Sequence, residues 1–146
     1  MQVLFGEKRE DMKRILVGFD GSEGAENALN KAMMLIDDDG ELILVAVVPT
    51  PDDNAFVDQK IYETLKQKAQ NLIDTVIIDI GEHSYDVRGV VKEGDIAATI
   101  IDLATSLECD LIVLGSKGTS ELGRYPIGSV ANKVVQYAHK PVMIVR

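Results

Sequence analysis

The chain has 146 residues, of which 46% are hydrophobic and 27% are charged, a size and composition typical of one globular domain with a substantial core. Its formal net charge of −9 argues against broad binding to nucleic acid or to an anionic membrane, because both need a basic face. Cys109 is the only cysteine, which excludes a disulfide framework, and with no signal sequence or membrane-spanning run we expect a cytoplasmic protein.

Short apolar runs alternate with helical patterns along the chain. The runs typical of buried strands cover residues 14–19, 41–48, 84–91, 110–115 and 141–146. Between them, apolar residues recur at three- and four-residue spacing, which predicts helices over 25–36, 56–80, 96–107 and 129–140. The third run alternates and carries Asp86 and Arg88, which places it at a sheet edge. Residues 1–13 precede the pattern, and we interpret them as an N-terminal extension of one domain over 14–146.

This alternation of strands and helices predicts an α/β fold. Parallel strands joined by right-handed crossovers form an open five-stranded parallel sheet with helices on both faces. Ligands bind such sheets outside the carboxyl ends of the strands, where neighbouring connections leave in opposite directions. If the strand order is 3-2-1-4-5, the first and fourth strands are neighbours, and the loops that follow them open on one crevice.

The loop after the fourth strand, LGSKGTSELGRYPIGSV, has the components of a phosphate site. Gly115 and Gly118 let the backbone bend and leave room for a close approach. Gly128-Ser129 begins the next helix, whose first N–H groups lack an internal partner and whose dipole favours an anion. The nearby cations are Lys117, Arg124 and Lys133. A plain turn followed by a helix cap at Ser129 explains the same pattern, so the loop alone leaves both interpretations open.

The loop after the first strand begins at Asp20. Asp20 and Glu23 have the spacing of a capping box, and the sequence supports this structural role and a role in ligand binding equally. A carboxylate here is also able to approach a phosphate-bound Mg²⁺ through water. Neither loop contains a Walker A or G-x-G-x-x-G sequence, which argues against a standard P-loop or dinucleotide site. His83 and His139 are expected at the surface, away from the loop serines, so no hydrolytic triad is indicated.

The spacing of the glycines is more specific than their number. Gly115-x-x-Gly118, nine further residues and then Gly128-Ser129 resembles the G-2x-G-9x-G-[ST] signature of the ATP-binding branch of the universal stress protein family. The resemblance extends over residues 14–146: ILVGFDGSEGAENAL is similar to the family's first strand, acidic turn and first helix, and CDLIVLGSKG and GSVANKVV are similar to its closing third.

This resemblance implies the adenine nucleotide alpha hydrolase-like fold, with strand order 3-2-1-4-5. It implies that ATP, or else ADP or AMP, is bound, with adenine and ribose against Asp20 and Val47. Ribose and phosphates would then contact Gly115, Gly118, Gly128, Ser129 and Val130. Lys117, which stands where the family often has His or Arg, and Arg124 are the candidate cationic contacts from the loop. The family also pairs its last strands in a homodimer.

Three functions are compatible with these patterns. We expect a regulatory adenine-nucleotide-binding dimer of the stress response, rather than a dedicated enzyme, whose protein partner and stress the sequence does not identify. A weak ATPase or phosphotransferase on the same scaffold is the alternative. A phospho-acceptor receiver domain is disfavoured, because the third strand ends VVKEG, without an Asp, and Lys140-Pro141 precedes the last strand.

Overall fold

The computed structural model describes residues 11–50, 58–116 and 127–146. Within these ranges five strands alternate with four helices, as the sequence predicts. The strands are β1 (Arg14–Gly18), β2 (Glu41–Val48), β3 (Asp86–Glu93), β4 (Leu111–Gly115) and β5 (Val142–Val145). The helices are α1 (Glu23–Leu35), α2 (Gln59–Ile80), α3 (Ile96–Ser106) and α4 (Ser129–Tyr137). None of the helices in these ranges is long and apolar enough to cross a bilayer.

Side-chain caps mark the starts of α1, α2 and α3. Asp95 accepts a hydrogen bond from the Ala98 N–H (2.9 Å) and caps α3. Asp58 does the same for the Lys60 N–H (2.9 Å), so α2 begins at Gln59, three residues later than its apolar spacing predicts.

All five strands are parallel and lie in the order β3-β2-β1-β4-β5, which confirms the predicted sheet and the edge position of β3. The connections after β1 and β2 move toward the β3 edge, whereas β4 returns to the other side of β1 and continues to β5. The direction of winding therefore reverses between β1 and β4. This is the position at which ligands bind open α/β sheets.

Two hydrophobic layers enclose the sheet. Helices α1 and α2 pack on one face, and α3 and α4 pack on the other. Within β1, Ile15 and Val17 belong to the first layer and Leu16 to the second, and all three are fully buried. Burial on both faces explains why β1, β2 and β4 are almost continuous apolar runs, whereas the edge strand β3 is not.

The last residues of the predicted N-terminal extension are hydrogen-bonded to the domain. The Met12 carbonyl accepts from the Asp37 N–H (3.1 Å), and the Lys13 carbonyl accepts from the Glu41 N–H (2.6 Å). The Lys13 N–H donates to the Asp110 carboxylate (2.9 Å). Residues 1–10 lie outside the described ranges, and the division of the chain at residue 13 stays a prediction.

Candidate functional site

A cavity of about 520 Å³ lies at the carboxyl edge of the sheet, where the winding reverses between β1 and β4. Ligand-binding cavities typically measure about 300–1,000 Å³. The ends of β1, β2 and β4 form its floor, and the four helices each contribute to its walls. Most of the described lining residues are apolar, and the charged ones among them are Asp20 and Lys68.

Asp20 shapes the turn between β1 and α1. Its Oδ1 accepts a hydrogen bond from the Ser22 N–H (2.9 Å), and Gly21 between them has a φ of 83°, in the left-handed region that favours glycine. The Ser22 hydroxyl, which accepts from the Ala25 N–H (3.2 Å), is the cap of α1. The capping-box interpretation of Asp20 is therefore wrong, because Ser22 occupies the cap position. Asp20 is exposed and lines the cavity.

The end of β2 presents backbone groups to the cavity. β1 ends opposite Val45, whose carbonyl accepts from the Phe19 N–H (2.8 Å). Alternate residues of a strand direct their backbone groups to the same neighbour. The N–H and carbonyl of Val47 therefore face the side on which β1 has ended. Val47 is half-buried and lines the cavity.

Gly115, at the end of β4, lines the cavity and also contacts α1. A Cβ added there would lie 2.6 Å from the carbonyl carbon of Gly24 and 2.7 Å from its oxygen. These are backbone atoms of the first turn of α1, which have little freedom to shift. The sequence reasoning gave this glycine the role of leaving room for a ligand. The structure adds a second reason for glycine, which is the close packing of β4 against α1.

Ser116 connects the end of β4 to both β5 and α4. Its N–H donates to the Val145 carbonyl (2.8 Å), and its carbonyl accepts from the Gly128 N–H. The residue is 3% exposed and lines the cavity, and no hydrogen bond among the described residues uses its hydroxyl. The candidate contacts Lys117, Gly118 and Arg124 lie outside the described residues.

The N-terminus of α4 opens into the cavity without a side-chain cap. Gly128 is the N-cap residue, and Ser129 is the first helical residue, so Ser129 is not the cap that its residue type suggested. The first bond back to the cap runs from the Asn132 N–H to the Gly128 carbonyl (2.9 Å). Within the described part of the chain, the N–H groups of Ser129, Val130 and Ala131 have no acceptor. Unpaired N–H groups and the helix dipole together favour an anion at this end.

Helix α2 forms the wall on the other face of the sheet. The residues that line the cavity, at spacings of three and four, are Leu65, Lys68, Ala69 and Leu72. The sequence reasoning used the three apolar residues to predict the helix face and missed Lys68. The available signal was its spacing, since Lys68 follows Leu65 by three residues and precedes Leu72 by four and so shares their side of the helix.

Neither histidine belongs to the described lining of this cavity. His83 and His139 are both exposed. Within the described ranges, no three or more His, Cys, Asp or Glu residues are arranged to hold a metal ion. The described lining offers backbone N–H groups, serine hydroxyls, one carboxylate, one ammonium group and an apolar surface.

A sequence model of the universal stress protein family matches residues 12–146. The chain belongs to the universal stress protein family. It is 32% identical over 145 residues to the universal stress protein MJ0531 of Methanocaldococcus jannaschii, a match that covers 92% of this chain and 82% of that protein. It also resembles the universal stress protein UspA from Lactobacillus plantarum, with a TM-score of 0.78 at 25% identity over 94% of this chain and 100% of the other.

Two further structures with the fold of this family contain a nucleotide. One is a universal stress protein in complex with cAMP, with a TM-score of 0.65 and 21% identity over 92% of this chain and 98% of the other. The second is a family member from Arabidopsis thaliana with AMP bound, with a TM-score of 0.64 and 17% identity over 91% and 90%. At these identities the likeness shows the shared fold.

Proposed function

We propose that this universal stress protein binds an adenine nucleotide, with ATP as the principal ligand, and acts as a nucleotide-dependent regulatory dimer in the stress response. The observation that carries the proposal is the uncapped N-terminus of α4, which opens into a cavity of ligand size at the switch point of the sheet. The binding of cAMP and AMP by proteins of this fold supports the choice of an adenine nucleotide.

The phosphates would bind at the start of α4. Gly128, Ser129 and Val130 line the cavity there, and the first-turn N–H groups, which have no acceptor among the described residues, are donors for phosphate oxygens. The hydroxyl of Ser129 is a further donor. Lys117, Gly118 and Arg124 complete this part of the proposal from the loop outside the described residues.

The adenosine part would occupy the apolar half of the cavity. The Val47 N–H and carbonyl supply a donor and an acceptor, which match the acceptor and donor groups on the edge of an adenine ring. Asp20 is an exposed carboxylate at the same edge of the sheet and is suited to accept hydrogen bonds from ribose hydroxyls. When Mg²⁺ accompanies ATP, Asp20 fits a water-mediated contact to it, since Mg²⁺ keeps several waters when phosphates bind it.

The dimer would form at β5. This strand pairs with β4 on one side, and no described strand covers its other edge. Its four residues are apolar and half-buried. A second copy that adds its own β5 antiparallel across a two-fold axis satisfies both edges at once.

We propose binding rather than dedicated catalysis, because the described lining of the cavity contains no histidine and its carboxylate, Asp20, already accepts from Ser22. Slow hydrolysis of ATP on the same scaffold is the alternative. The receiver interpretation has no support, because β3 ends at Lys92 and Glu93 rather than at an Asp. A cytoplasmic location is part of the proposal.

The direct test is isothermal titration calorimetry of the purified protein with ATP and Mg²⁺, with adenosine and inorganic phosphate as partial ligands. We expect ATP to bind with higher affinity than either fragment, because only ATP occupies both halves of the cavity. The absence of binding at millimolar ATP would refute the proposal. Mass spectrometry of ligand released by heating the protein identifies which nucleotide is native.

A further inference from the structure

Lys68 is an exposed residue of α2 that lines the cavity, and α4 lines it from the other face of the sheet. A Cβ added at Gly21 would lie 3.4 Å from both δ-carbons of Leu72, which places that part of α2 against the β1–α1 turn. Helix α2 starts at the carboxyl edge of the sheet and runs away from it, because it connects two parallel strands. Lys68 precedes Leu72 by one turn and is therefore nearer to the opening.

The ammonium group of Lys68 is available to a ligand. Its neighbour Lys66 forms ion pairs with Glu63 (3.1 Å) and Glu93 (3.3 Å), and its Nζ lies 5.4 Å from the centre of the Tyr62 ring. No carboxylate of the described residues lies within 4.0 Å of the Lys68 Nζ. Lys68 is exposed and lines the cavity beside Leu65 and Ala69, a setting in which a lysine packs its aliphatic stem on apolar neighbours and keeps its ammonium group in water.

We propose that Lys68 binds the outer phosphates of the nucleotide and so determines a preference for ATP over AMP. This inference rests on the proposed function. Helix α4 packs on one face of the sheet and α2 on the other, and both line the cavity. With its first phosphate at the N-terminus of α4, the nucleotide extends its remaining phosphates toward the opening of the cavity. Lys68 is the cation among the described residues that line the cavity. An ammonium group suits this role because it contacts phosphate as a point charge with three donors.

The test compares Lys68→Met with a matched control on the same helix. Methionine keeps the length and the apolar stem and removes only the charge. Lys60→Met removes the same charge from an exposed position of α2 that does not line the cavity. Calorimetry with ATP, AMP and adenosine, at low and at high salt, measures which part of the ligand is affected.

We expect Lys68→Met to weaken ATP binding by about 5- to 10-fold, as for the loss of one partly exposed charge-assisted hydrogen bond. AMP should change by less than about twofold and adenosine not at all, since neither reaches the ammonium group. The salt dependence of ATP binding should decrease, and Lys68→Arg should restore most of the affinity. Lys60→Met should leave all three ligands unchanged.

Two results would overturn the inference. An equal loss for ATP, AMP and adenosine would mean that the Lys68 side chain packs against the base or supports the fold. Unchanged ATP affinity would mean that the contact is not made. A wild-type protein that binds no adenine nucleotide would instead overturn the proposed function, and this outcome is seen before any variant is measured.

Discussion

Substitution of Gly128 by Asp separates the proposed binding of phosphate at α4 from folding. Gly128 is the N-cap of α4 with φ −65° and ψ 163°, an extended conformation that an Asp residue adopts without strain. Asp is among the preferred N-cap residues, and its carboxylate would accept from the N–H of Val130 or Ala131. These are the N–H groups that the proposal assigns to phosphate. The substitution therefore fills the anion site with an anion of the protein itself.

The expected changes in stability and in affinity have opposite signs. A cap that replaces glycine adds a few tenths of a kcal/mol, and a negative charge at a helix N-terminus adds about 0.3–1 kcal/mol, so the free energy of unfolding should rise by roughly 0.5–1 kcal/mol. Each charge-assisted hydrogen bond lost to the nucleotide costs about 1.5–3 kcal/mol. With repulsion added, ATP binding should weaken by about 2–3 kcal/mol, which is roughly 30- to 150-fold in Kd.

Calorimetry with ATP and thermal unfolding without ligand measure the two effects. Gly128→Asn is the matched control, because asparagine has nearly the same shape and caps as well but carries no charge. It should give a similar gain in stability and a smaller loss of affinity. An aspartate variant that is stabilised and still binds ATP within about twofold of the wild type would show that the phosphates bind elsewhere.

Three further predictions concern other parts of the molecule. Gly115→Ala should lower the free energy of unfolding by about 1–3 kcal/mol in urea denaturation, because its Cβ would meet the Gly24 backbone at 2.6 Å; unchanged stability would show that α1 shifts freely. Burial raises the pKa of the Cys109 thiol to about 11, so the native state holds little thiolate at pH 8, and a thiol reagent at that pH should react far more slowly with folded than with urea-unfolded protein; equal rates would contradict this. Ile144→Pro removes an N–H that faces the free edge of β5 and should shift the sedimentation profile from dimer to monomer. Ile144→Ala keeps this N–H and should leave the profile unchanged. A proline variant that remains dimeric would refute pairing at this edge.

Much of the fold was predictable from the sequence because the signals are local. Runs such as residues 41–48 are apolar throughout since both faces of the strand are buried, and β2 has those bounds. The start of α3 is also set locally, because the Asp95 side chain and the N–H that it accepts from are three residues apart. The parallel sheet follows from the alternation of elements and from the short connections between them.

The parts that the sequence could not supply depend on contacts between distant segments. The approach of Gly115 to Gly24 joins β4 to α1, and nothing local marks it. Lys68 lines the cavity only because α2 packs beside the β1–α1 turn. The choice of Ser22 over Asp20 as the cap of α1 is local, but it depends on the left-handed conformation of Gly21, which bends the chain one residue before the cap.

The two backbone hydrogen bonds of Ser116 connect the proposed ligand site at α4 to the proposed dimer interface at β5. The Ser116 carbonyl accepts from Gly128 at the start of α4, and the Ser116 N–H donates to Val145 at the end of β5. A displacement of either element therefore changes a hydrogen bond of the same residue. If nucleotide binding strengthens pairing at β5, pairing must strengthen nucleotide binding by the same factor. The apparent Kd for ATP would then fall as the protein concentration rises, and one titration would report on both equilibria.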